Sequence, residues 1–173
     1  MNIKDFIPTV ANWPKPGVDF LDISKLLENA NAFNYCTHVL MEHAGRADAT
    51  SIVALESRGF IFGSVIAARL NLPLILVRKS GRLPRATYSQ SYQTEYSQDS
   101  IEINQDAPVG AKPYIIDDLL ATGGTILAVN SLLKHNFNVH SVCAGVVVNL
   151  AFLPGADNLA ANFVQVDTVA TYE

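Results

Sequence analysis

Four short apolar runs, separated by stretches of helical character, constrain the fold more than any other feature of this chain. Ser51–Leu55 (SIVAL), Leu74–Val77 (LILV), Tyr114–Asp117 and Ser141–Val148 have strand length and are rich in β-branched residues. Strands apolar on both sides must be covered on both sides, and helical crossovers between parallel strands supply that cover. Helices are expected from about Gly63 to Leu70 and over Gly124–Lys134, where Ile126, Val129 and Leu133 share one face. Phe163–Val166 reads as an edge strand. The expected fold is therefore α/β: a mainly parallel twisted sheet with helices on both faces, in a single domain of 173 residues.

Composition narrows the partners. Hydrophobic residues make up 49% of the chain, which places it among globular proteins. No apolar run reaches bilayer length and MNIKDFIPTV carries no signal-peptide pattern. Cys36 and Cys143 lie far apart without metal-ligand spacing, so both are expected as reduced thiols in a cytoplasmic protein. A net charge of −4 gives no bulk attraction to nucleic acid or membrane. Any anionic ligand must therefore be held by a local basic cluster.

The stretch Ile115–Thr125 (IIDDLLATGGT) sits where a strand runs into a helix, the place where ligands gather in open α/β sheets. Thr122, Gly123, Gly124 and Thr125 present hydroxyls and backbone N–H groups at a helix N-terminus, which suits a phosphate. An ordinary N-cap with a glycine turn has the same composition. The GxxxxGK[ST] and GxGxxG patterns are both absent. Asp117 and Asp118 would repel a phosphate but accept hydrogen bonds from vicinal hydroxyls, or cap the loop. A sugar phosphate satisfies both halves of the stretch.

Two further segments follow strand ends. Glu56-Ser57-Arg58-Gly59-Phe60 offers a guanidinium and N–H groups to a second phosphate. Residues 78–100 begin with Arg78, Lys79, Arg82 and Arg85, the densest basic cluster in the chain, and then become tyrosine-rich. Such an excursion is either a solvated loop or a lid over a site. Within it Glu95 is a surface charge or a lid residue able to exchange a proton. Tyr88, Tyr92 and Tyr96 recur every four residues, as a helical stripe or as loop packing. None of the four histidines forms a metal constellation, and His38 and His43 fall in a surface helix.

The motifs WPKPGVDFLD, ESRGFIFG, VRKSGRLP, TEYS and IIDDLLATGGT, in this order, resemble those of the adenine phosphoribosyltransferases, type I phosphoribosyltransferases of purine salvage. The resemblance runs from Trp13 to about Leu150. It implies the type I fold with an N-terminal hood over residues 1–30, a lid loop over 78–100, and a homodimer. It also implies formation of AMP and pyrophosphate from adenine and 5-phosphoribosyl 1-diphosphate (PRPP) with Mg²⁺. Matched position by position, Ala121, Thr122, Gly123, Gly124 and Thr125 would hold the 5′-phosphate, and Asp117 and Asp118 would face the ribose hydroxyls. Arg58, Arg78, Lys79 and Arg82 would serve pyrophosphate, Arg82 standing where the family usually has lysine. Phe20, Leu21 and Leu119 would contact adenine, and Glu95 would manage its N7 proton; no protein metal ligands are implied beyond water-mediated ones. The chain departs from the family at Leu21, usually arginine, and at Asp19, usually small and apolar. Another purine as substrate, or a PRPP-sensing regulator without catalysis, is the alternative reading.

Overall fold

In the computed structural model, which describes residues 1–93 and 98–173, the apolar runs are strands because helices cover them on both sides. In chain order the elements are β1 (Thr9–Val10), β2 (Phe20–Leu21), α1 (Ser24–Glu28), α2 (Ala30–Arg46), β3 (Ser51–Leu55), α3 (Gly59–Leu70) and β4 (Leu74–Lys79). They continue with β5 (Thr87–Gln93), β6 (Gln98–Asn104), β7 (Pro113–Leu120), α4 (Gly124–Asn136), β8 (Cys143–Leu150), α5 (Gly155–Ala161) and β9 (Gln165–Tyr172). The main sheet has the order β5-β6-β4-β3-β7-β8-β9. Strands β4, β3, β7, β8 and β9 are parallel, and β6 joins antiparallel through Arg78↔Glu102 and Lys79↔Ile101.

Alternation along each strand divides the core in two. Ile52, Tyr114 and Ile116 face α2 and α3, packing with Leu40, Phe62 and Ile66. Val53, Leu55 and Ile115 face the other way, against Val129, Leu132 and Leu133 of α4 and Leu159 of α5. From β3 the chain crosses to β4 on one side, and later returns to β7 on the other. The carboxyl ends of β3 and β7 therefore flank the switch point of the sheet, where a crevice opens. A two-stranded antiparallel pair of β1 and β2 stands over that crevice, anchored by Ile3, Ile7, Leu21, Ile23 and Leu26.

Three elements differ from the sequence expectations. Helix α3 begins at Gly59 rather than Gly63, so the ESRG turn feeds straight into it. The tyrosine-rich interval forms the antiparallel pair β5–β6, and Tyr88 and Tyr92 share a strand face rather than a helical stripe. The edge strand runs over Gln165–Tyr172, whereas Phe163 is 88% exposed in a left-handed turn with φ +58°.

Candidate functional site

The stretch that ends β7 builds the centre of the site. After Leu120 the chain turns through Ala121 and Thr122 to Gly123, whose φ of +80° favours glycine, and α4 starts at Gly124. No side chain caps this helix, so the ordinary N-cap arrangement is not the one adopted. Its first N–H groups and its dipole face a small cavity of about 100 Å³ lined by Asp117 and Leu119 through Ile126. The turn is fixed from behind. Asn158 Nδ2 donates to the Thr122 carbonyl at 3.0 Å. Gly155 approaches so closely that a Cβ there would lie 2.2 Å from the Ala121 carbonyl oxygen.

The two carboxylates part company, as strand geometry requires. Asp117 lines both this cavity and a neighbouring basic one, and its Oδ1 accepts the Asp118 N–H at 2.9 Å. Asp118 turns towards α3 and is only 3% exposed. Arg58 Nε lies 2.9 Å from Asp118 Oδ2, but its N–H does not point along that line. The contact is thus an ion pair, and this oxygen accepts no hydrogen bond from the described residues. Burial raises both carboxyls above the ordinary aspartate value; repulsion from Asp118 adds to the rise at Asp117, while Arg58 opposes it at Asp118.

On the other side of Asp117, Glu56 organises the basic cluster. It accepts the Lys79 backbone N–H at 2.9 Å and Arg78 Nε at 3.3 Å, and it pairs with Arg82. Burial would raise its carboxyl, but these donors outweigh that and hold it below the ordinary value. Glu102 on β6 fixes the following turn by accepting the N–H groups of Arg82 at 2.8 Å and Leu83 at 2.7 Å. Glu56, Arg78, Lys79, Tyr92, Asp117 and Thr125 line a cavity of about 90 Å³. Arg82 reaches Glu56 but does not line this cavity, nor does Arg85, which pairs with Asp106.

A third, largely apolar cavity of about 320 Å³ lies beneath the β1–β2 hood. It brings together Phe20, Leu21 and Leu119, as the sequence led one to expect, and adds Thr9, Asp19, Arg58, Leu150, Phe152 and Tyr172. Arg58 is the residue placed differently from its neighbours in the expected set. It sits with Asp118 and 5.3 Å from the Phe20 ring centroid, apart from Arg78 and Lys79 in the basic cavity and from Arg82 at Glu56. Glu95 and Tyr96 lie outside the described residues. Among the described residues no group of three histidine, cysteine or acidic side chains is arranged to hold a metal.

Sequence reasoning gave no role to Glu56, in the turn after β3, or to Glu102 on β6, because single glutamates carry no local signal. Leu150, Phe152 and Tyr172 reach the apolar cavity from loops and strand ends far along the chain, which no short motif marks.

Nest, basic cluster and apolar slot adjoin: Asp117 and Thr125 line both polar cavities, and Leu119 lines both the nest and the apolar slot. The phosphoribosyl transferase domain family matches residues 22–167. An adenine phosphoribosyltransferase of Shewanella oneidensis is 42% identical over 172 residues, covering 99% of this chain and 93% of that one. The crystal structure of adenine phosphoribosyltransferase from Rhodothermus marinus superposes with a TM-score of 0.89 at 36% identity, covering 98% of this chain and 96% of that one. The Saccharomyces cerevisiae enzyme, solved with D-2,5-dideoxy-2,5-imino-altritol 1,6-bisphosphate and adenine, gives 0.87 at 31% identity and 96% coverage of both chains. The chain belongs to the phosphoribosyl transferase family and, within it, to the adenine phosphoribosyltransferases.

Proposed function

We propose that this chain transfers the phosphoribosyl group of PRPP to adenine, forming AMP and pyrophosphate. The observation that carries the reading is the placement of Asp117 between two anion sites, with an apolar slot beside them under the hood. In this reading the Ala121–Thr125 turn holds the 5′-phosphate through its N–H groups and the Thr122 hydroxyl, while the Thr125 hydroxyl donates to Tyr92. Asp117 and Asp118 accept the ribose hydroxyls. Arg78, Lys79 and Arg82 receive the diphosphate, which gains negative charge as the C1′–O bond breaks. Phe20, Leu21 and Leu119 bound the purine, and Arg58 closes the slot between base and ribose.

Asp117, whose carboxylate lines both polar cavities, suits Mg²⁺, since such ions take one or two carboxylates plus substrate phosphates. Bound mainly to PRPP and water beside Asp117 and Asp118, Mg²⁺ would neutralise the departing diphosphate. Glu95 handles the proton at N7 while N9 attacks C1′. The segment 78–100 acts as a lid that keeps water from the sugar. A homodimer is supported by the exposure of Ile61 on α3 and of Leu74 and Leu76 on β4, each 36–39% exposed. A cytoplasmic setting is supported by the free thiols Cys36 and Cys143.

Initial rates with adenine, hypoxanthine and guanine, each with PRPP and Mg²⁺, test the proposal. Adenine should be strongly preferred. A preference for an oxopurine would overturn the base assignment, and PRPP binding without turnover of any purine would make the protein a sensor.

A further inference from the structure

The Tyr92 hydroxyl lies where the two anion sites meet. Strand β5 runs along α4, and alternation puts Tyr88 and Tyr92 on the same face. Tyr88 packs edge-on against Phe137, which caps the C-terminus of α4, with ring centroids 5.7 Å apart. Tyr92 reaches the opposite end of the helix. Its ring packs against the same core, and its hydroxyl accepts a hydrogen bond from Thr125 Oγ1 at 3.3 Å. The same side chain lines the basic cavity together with Glu56, Arg78, Lys79 and Asp117.

A phenol has one proton to give. The two hydroxyls share one hydrogen bond, and with Thr125 as its donor the Tyr92 proton has no acceptor among the described residues. A free donor is thus held at the wall of a cavity whose cations attract anions. We propose that Tyr92 is a ligand-binding residue whose hydroxyl donates to a diphosphate oxygen of PRPP or pyrophosphate. Because the same oxygen accepts from Thr125, the bond ties strand β5 to the phosphate turn when the diphosphate site fills. The inference rests on the proposed phosphoribosyl transfer.

Tyr92→Phe removes the donor and keeps the ring. Titration calorimetry with Mg²⁺ present should show pyrophosphate binding weakened about tenfold, the size of one hydrogen bond to a charged acceptor. KM for PRPP should rise by a similar factor. AMP, which carries only the 5′-phosphate, should bind as to the unmodified protein, and the ligand-free melting temperature should fall by only a few degrees, for the lost Thr125 hydrogen bond. Unchanged pyrophosphate affinity would overturn the proposal. So would equal weakening of AMP and pyrophosphate, since that marks a hydroxyl that merely holds β5 on α4. If the unmodified protein bound pyrophosphate but converted no purine, the transferase reading would fail while the Tyr92 comparison still decided this one.

Discussion

Asp118→Asn should make the ligand-free protein more stable while costing it its substrate. The exchange removes a charge but almost no volume, at a residue 3% exposed. In the native state Asp118 is withdrawn from water beside the half-buried Asp117, and burial keeps both carboxyls raised in spite of Arg58. The net environment therefore disfavours the second charge. The ion-pair partner left behind, Arg58, has a side chain 35% exposed, so water can solvate it again. Relief of such a functional-site penalty is typically worth about 0.5–2 kcal/mol, or about 1–8 °C in melting temperature for a chain of this size. The pH dependence has a definite sign. The folded carboxyls keep their protons above the ordinary value of 3.8, so between that value and the raised one the native state binds more protons than the unfolded state. Their contribution to stability is then greatest at low pH and falls as pH rises through the window, so the advantage of the variant should grow with pH. PRPP affinity should drop about tenfold to hundredfold, the value of a hydrogen bond to a charged acceptor. Thermal melts from pH 4 to 8, with and without PRPP and Mg²⁺, measure both effects. A variant less stable than the parent at neutral pH, or one with unchanged PRPP affinity, would refute the reasoning.

Three other expectations concern the surroundings of the site. Gly155→Ala drives a methyl into the Ala121 carbonyl and the Leu120 side chain; overpacking of about 1–3 kcal/mol should lower the melting temperature and weaken AMP binding together. Glu102→Gln should loosen the Arg82–Leu83 turn and raise KM for PRPP. Burial raises the Glu102 carboxyl, but the N–H groups of Leu83, Gly81 and Arg82 outweigh it, so its stabilisation is present above the ordinary value of 4.5 and lost as pH falls through the lower folded one. Melting temperatures of parent and variant should accordingly converge in acid. Glu95→Gln should slow the chemical step at unchanged PRPP affinity; undiminished single-turnover rates would remove its role in proton transfer.

Much of the scaffold was legible because burial on two faces writes itself into the sequence. The runs SIVAL and LILV became β3 and β4, and every residue of β3 is buried. The β5–β6 pair was obscured because TYSQSYQ and QDSIEIN carry few β-branched residues. Their strand state comes from the pairing of β6 with β4 and of β5 with β6, and from tyrosines packed on α4, all tertiary effects. The start of α3 was misplaced because glycine and arginine at a helix N-terminus read as loop. At the site, IIDDLLATGGT disclosed its two halves through chemistry alone. That Arg58 would sit with Asp118 and Phe20 rather than with Arg78 depends on how α3 meets β7, which local sequence does not encode.

The central claim concerns orientation: one sugar spans the two anion sites, with Asp117 beneath its middle. Crystals grown with Mg²⁺, PRPP and an unreactive adenine analogue test it most directly. The account predicts the 5′-phosphate in the Ala121–Thr125 turn, the diphosphate against Arg78, Lys79 and Arg82, and the base between Phe20 and Leu119. A diphosphate seated in the turn, or a base outside the Phe20–Leu119 slot, would contradict it.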